Sequence, residues 1–230
     1  MSLTKLGGWA ALVCASTYIF GFALLVTVLA PLGFGTNHVD AKAVVSFIDA
    51  RPGVLIAWNT TIYVVNAVAL LVLVTALARL LAEVRPDFAR ITRSIGLIWA
   101  GLVLGAGMIA NVAVEQVAVL YPLEPQAAAD LWSVLHAVEL GLGGGNEIAG
   151  GLWITCASLG GLRSGVLAKP AAFLGIATGA GGLATIVPPF GEVAGAVFGL
   201  GAIAWFVIVG VTLLRRSDEF LLTPRQPQAI

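Results

Sequence analysis

Charge is what this sequence has least of. Only 10% of its 230 residues are Asp, Glu, Lys or Arg, and the twelve basic and twelve acidic side chains cancel. A water-soluble domain carries about 25% charged residues, so this chain cannot cover itself with a water-compatible surface. A net charge of zero also argues against nucleic acid or any strongly charged macromolecular partner. Cysteine is scarce too. Cys14 and Cys156 sit far apart in apolar stretches, which excludes a disulfide framework and a CxxC zinc motif. With two histidines, His38 and His136, a bis-His haem has weak support. There is no HExxH, nucleophile elbow, phosphate loop or dinucleotide fingerprint in a usable context. No cofactor and no metal are therefore expected, and an enzyme is the minority reading.

What is abundant is apolar: 59% of the residues, with a mean hydropathy of +1.00. Crossing the hydrocarbon core takes about 20 such residues in a helix. That ruler marks six segments: Leu6–Leu32, Val54–Leu81, Ile95–Leu120, Leu131–Leu162, Ala171–Val187 and Val193–Leu214. Strand-like alternation is missing, so the expected fold is all-α, a polytopic bundle of six transmembrane helices over residues 1–216. The tail 217–230, with Pro224 and Pro227, is expected to be disordered.

Six crossings put Lys5, Arg79, Arg85, Arg90, Arg93, Arg163, Lys169, Arg215, Arg216 and Arg225 on one side, leaving Lys42 and Arg51 on the other. The positive-inside rule then places both termini in the cytoplasm of a cell with a bacterial-type inner membrane. The first outer connection carries Val44, Phe47, Ile48 and Arg51 at helical spacing beside Asp40, Lys42 and Asp49. It predicts a short amphipathic helix, serving as a lid over the bundle or as an interfacial anchor.

Ionisable groups inside a span are costly and mark functional sites by default. The second span carries Asn59, Tyr63 and Asn66 on one stripe, the third Asn111 and Glu115, and the fourth His136, Glu139, Asn146 and Glu147. At about 1.5 Å per residue, His136, Glu139, Glu115 and Asn59 fall in the outer third, with Asn66, Asn146 and Glu147 nearer the middle. Matching heights on separate spans predict one polar pocket, open outward, that binds or moves a small solute or proton. Its expected lining is Glu147, Asn146, Glu139, His136, Glu115, Asn111, Asn59 and Asn66, with Glu147 carrying the most weight. Internal pairing of Glu139 with His136, or solvation of Glu115, are the plainer alternatives.

Gly141, Gly143, Gly144 and Gly145 admit two readings, a bend that frees carbonyls toward a cavity or a groove for a neighbouring helix. Four-residue pairs of glycine, Gly101/Gly105, Gly175/Gly179 and Gly195/Gly199, predict close helix packing within the chain, with a second copy or with other membrane proteins. A non-catalytic assembly subunit thus stands beside the pocket reading, as does an intramembrane hydrolase using the acid/His cluster. The similar stretches GGWAALVCAS in the first span and GGLWITCAS in the fourth raise the question of an inverted repeat.

The run GGGNEIAGGLWITCASLGGLRSGVLAKPAAFLGIATGAGGL resembles the bacterial six-helix membrane proteins grouped as domain of unknown function 4386. ALARLLAEVRPDFARITRSIGLIWAG is similar to their connection between the second and third spans. The resemblance implies a six-helix bundle and carries no catalytic residue over.

Overall fold

The structure, a computed structural model, describes residues 1–36, 38–144 and 147–222. Its described residues are helical or in short turns, with no strand. Helix α1 (Leu3–Leu24) opens where the Ser2 hydroxyl accepts from the Lys5 amide at 3.2 Å, and a wide π turn (Leu25–Leu29) extends it to Leu32. Helix α2 is Ala41–Ala50. Helices α3 (Pro52–Asn59) and α4 (Asn66–Ala82) form one rod joined by a π turn, Thr60–Val65. Helix α5 (Pro86–Leu120) is uninterrupted, α6 (Pro125–Glu139) and α7 (Ile148–Arg163) are followed by α8 (Lys169–Ala184), and α9 runs Gly191–Leu222. Proline opens α3, α5 and α6 at their first positions and stands second in α8, within the first turn, where its missing N–H costs nothing.

Among the described residues, four helical stretches are long and apolar enough to cross a membrane: Leu3–Leu32, Pro52–Ala82, Pro86–Leu120 and Gly191–Arg216, with mean hydropathies from 2.0 to 2.4. The other two expected spans differ. Leu131–Leu162 is not one helix. It divides at Gly143, whose φ of 132° lies where only glycine is at ease, and the fifth span stops at Ala184 ahead of the Pro188–Phe190 turn. At 16 residues each, α7 and α8 reach only about 24 Å. Helix α5 starts nine residues before the expected Ile95, because Asp87, Arg90 and Arg93 stay exposed on its first turns. Helix α9 continues to Leu222, beyond the expected end of the bundle, and 223–230 lie outside the described residues.

Close contacts at glycines fix the register. Going down α5, Gly107 meets Tyr63 and Gly96 meets Val74, so α4 and α5 are antiparallel. Leu142 lies nearest Gly105, Gly150 meets Trp99, Trp153 meets Gly96, and Gly160 meets Phe88: α6 and α7 together run antiparallel along one α5. Gly151 faces Gly179 and Gly182, and Gly175 faces Ser158, pairing α7 with α8; Gly201 on Thr178 pairs α8 with α9. Gly8 on Leu214 and Gly199 on Phe22 bring α9 back to α1, while Gly7 on Ala76 seats α1 on α4. Six alternating rods thus close into a ring, with the beginning of α1 and Leu214 of α9 at the same end. The two look-alike stretches both use their Gly-Gly pair at such contacts, Gly7/Gly8 and Gly150/Gly151.

Of the expected packing pairs, only Gly175/Gly179 is buried as a pair, its Cα atoms pressed on α7. An added Cβ at Gly101 or Gly195 would meet nothing within 4 Å, and at Gly105 only Leu142 at 4.0 Å, while Gly199 holds a Phe22 ring. Two apolar cores are stacked along the bundle. The larger contains Trp99, Trp153, Trp205, Phe198 and Phe206. The smaller holds Leu29, Leu55, Trp58, Val114, Val117 and Trp132, and into it α2 buries Val44, Val45 and Ile48. The amphipathic helix therefore exists, capped by Asp40 on the Lys42 and Ala43 amides, and its apolar face is spent on protein. It sits against α5 and α6.

Candidate functional site

Where the two cores meet, at the end of the bundle away from α1's start, lies a small, partly open cavity. Phe34, Trp58, Asn59, Trp132, His136 and Glu139 line it, with Ala110, Ala113 and Val114 of α5 as its floor on one side. The space open to the centre of a water molecule is ≈ 20 Å³, and about 10–15 Å³ suffices for one water.

Glu139 is the centre of this site. It is 6% exposed, and both carboxylate oxygens are held. The Tyr63 hydroxyl donates to Oε1 at 2.5 Å, and His136 Nδ1 meets Oε2 at 2.7 Å. The i, i+3 spacing on α6 makes the His136 contact local; the Tyr63 contact ties two rods together. Tyr63 reaches it from the π turn at Thr60–Val65, its Cβ pressed so closely against Gly107 that a methyl added there would overlap it. Wide turns of this kind recur at functional sites. Gly107 accordingly sets the place of the Tyr63 hydroxyl. Gly107→Ala is expected to push Tyr63 off Glu139 and lower stability by about 1–3 kcal/mol, measured by thermal unfolding in detergent; an unchanged midpoint refutes it.

The walls are aromatic. His136 stacks on Trp132, with centroids 4.5 Å apart and planes at 19°, and Phe34 stands edge-on to Trp58, Trp132 and His136 at 5.5, 6.1 and 6.0 Å. Trp58 is anchored in turn by donating Nε1–H to the Gly21 carbonyl at 3.1 Å. Asn59 is 5% exposed and faces the cavity, and its amide makes no hydrogen bond to a described side chain or backbone group. An amide left open to the cavity is a group to which an occupant can hydrogen-bond.

Three of the eight expected lining residues meet here: Glu139, His136 and Asn59. The others go elsewhere. Asn111 sits beside the cavity floor and donates from Nδ2 to Thr60 Oγ1 at 3.0 Å, leaving its buried Oδ1 unpartnered. Asn66 donates to Thr17 Oγ1 at 2.6 Å and so fastens α4 to α1 in the larger core. Glu115 is exposed, because it projects about 100° around α5 from the cavity-facing Val114. Glu147 is not in the cavity lining. It stands at the N-cap position of α7, its amide donating to Thr185 Oγ1 at 3.1 Å. Asn146 lies outside the described residues.

The glycine run resolves in favour of the break. Gly141 and Gly143 have nothing within 4 Å of an added Cβ, so no neighbouring helix uses them as a groove. A π turn, Leu140–Gly144, ends α6 one residue after Glu139. Residues missed from the sequence as lining are Tyr63's hydroxyl role, Phe34 and the two tryptophans. Tyr63 was signalled by its i+4 spacing from Asn59; Phe34 lies in a connection and had no such signal.

No family model, no curated protein and no solved structure matches the chain. Among the described residues, no three His, Cys, Asp or Glu side chains converge as metal ligands. The chemistry available is that of one hydrogen-bonded carboxylate, a histidine, a phenol and a free amide inside an aromatic wall.

Proposed function

We propose that this chain is a membrane protein of six crossings whose Glu139 pocket binds a small solute or proton reaching it from the outer face. The observation that carries the reading is the pairing of a buried, fully hydrogen-bonded carboxylate with a cavity that the Asn59 amide faces unpartnered. A carboxylate this deep is retained at a cost, and an occupant that uses it is the usual return. The fifth and sixth crossings in this reading are the broken traverse Pro125–Arg163, supported by its continuous antiparallel register on α5, and the short α8. The resemblance read in the sequence to the domain of unknown function 4386 proteins implies the same count.

Orientation follows from charge. The end of the bundle that holds the start of α1 also holds Arg79, Arg90, Arg93, Arg163 and Arg215, so it faces the cytoplasm of a bacterial-type inner membrane and the pocket faces out. The test is labelling of Leu135→Cys, a half-buried lining position, in a Cys14→Ser, Cys156→Ser background. A membrane-impermeant thiol reagent should modify it in intact cells and not from the cytoplasmic face of inverted vesicles. Protection from both sides would sink the pocket reading.

A second reading, an assembly subunit, draws on the open surfaces at Gly101 of α5 and, separately, at Gly195 of α9, where a partner helix has room to approach.

A further inference from the structure

The pocket's contents are constrained by charge, by acceptor count and by size. Resting on the pocket reading above, we infer that the occupant is an N–H cation of water-like size, the ammonium ion being its simplest member. Glu139 supplies the negative charge. His136 Nδ1 and the Tyr63 hydroxyl engage its two oxygens, and no Lys or Arg is among the lining residues. A buried carboxylate with no Lys or Arg beside it has room for a cation or a proton.

The wall then selects among cations. Phe34, Trp58 and Trp132 line the cavity, and an aromatic face turned to a cation attracts it through the ring quadrupole while supplying no lone pair. Oxygen acceptors in the lining side chains are few: the two of Glu139, already engaged, and the Asn59 carbonyl, which is free. An alkali ion needs a shell of oxygens to replace its water, as rings of carbonyls do in potassium filters. The lining side chains provide no such shell. An ammonium ion needs only a few directed acceptors for its N–H groups and gains from the rings. Potassium is of nearly the same size, so discrimination between the two isolates hydrogen bonding and cation–π attraction from mere fit. The ≈ 20 Å³ open to water centres suits an ion no larger than that.

The experiment uses the purified full chain in nanodiscs, with ammonium chloride titrated against sodium, potassium and tetramethylammonium chlorides at constant ionic strength. Tryptophan fluorescence is read, since Trp58 and Trp132 border the cavity. Ammonium should give a saturable change and the other three none. Asn59→Leu and Trp58→Leu should each weaken it by about tenfold or more, as loss of one desolvated contact implies; Glu139→Gln should abolish it. If Glu139→Gln fails to fold, the Asn59 and Trp58 variants still decide. An equal response to potassium, or silence to ammonium in a protein whose Leu135→Cys labels from outside, overturns the ammonium assignment and leaves the pocket standing. Failure of the labelling itself removes the pocket.

Discussion

Replacing Gly179 by valine is expected to force α7 and α8 apart. The Cα of Gly179 rests on α7 so closely that an added Cβ would overlap Thr155 Oγ1 and lie 2.5 Å from the Gly151 carbonyl. A threonine hydroxyl can rotate away, but it would give up its bond to the Gly151 carbonyl at 2.8 Å, and the carbonyl itself is backbone and cannot. Over-packing of a fitted interior costs about 1–3 kcal/mol and sometimes more. Here both partners of the clash belong to helices, so the upper end of that range applies. The loss should appear as a lower unfolding midpoint in detergent and as loss of the folded band in mild SDS. Gly101→Val supplies the control: with nothing within 4 Å, it should leave both readouts unchanged. Equal loss in the two variants would mean that small-residue content, and not this contact, sets stability.

Glu139→Ala is expected to cost about 1–3 kcal/mol, because it leaves two polar groups at a largely buried site without their partner. The Tyr63 hydroxyl loses its acceptor and His136 its Nδ1 partner, while Tyr63 remains 8% exposed. Glu139→Gln keeps an oxygen for one of the donors and should lose less. Glu115→Ala, four residues from Asn111 but turned outward, should change stability by less than about 0.5 kcal/mol. Equilibrium unfolding in mixed micelles separates the three variants. If Glu139→Ala and Glu115→Ala prove equal, the hydrogen bonds to Tyr63 and His136 have no net worth.

The sequence carried height well and azimuth poorly. Counting 1.5 Å per residue put Asn59, His136 and Glu139 at one level, and they do share a cavity. The same count placed Glu115 there too, yet a level does not say which way a side chain points. On α5 the cavity is faced by Ala110, Ala113 and Val114; small side chains leave the space, and polar ones one step around the helix do not enter it. Asn66 failed for a related reason. Its stripe with Asn59 assumed an unbroken 3.6-residue period, and the π turn between them adds a residue and rotates the rest of the rod. Thr17 of α1, on a different rod from either stripe neighbour, then claims the amide.

Glycine was legible as an anomaly and ambiguous in its use. The same residue type serves as a contact surface at Gly151 and Gly179, as a seat for one ring at Gly107, and as a joint at Gly143. Nothing local distinguishes these, because the difference lies in what stands opposite. The aromatic wall was out of reach of pattern reading for the same reason: Phe34 comes from a connection and meets Trp58 and Trp132 from two other rods.

The two stacked cores have a mechanical side. Wide turns interrupt the first, second and fourth rods at Leu25–Leu29, Thr60–Val65 and Leu140–Gly144, all at or next to the seam between the cores. A widened turn has poorer backbone geometry than the helix on either side, so it is where a rod yields first. Helix α5 passes the same seam without interruption. Compliance is therefore distributed unevenly around the cavity: three flexible staves and one stiff mast. Any tilt of the smaller core would pivot about α5, and the aperture beside Glu139 would widen on the side of Phe34 and Trp58 while the Ala110–Val114 floor held still.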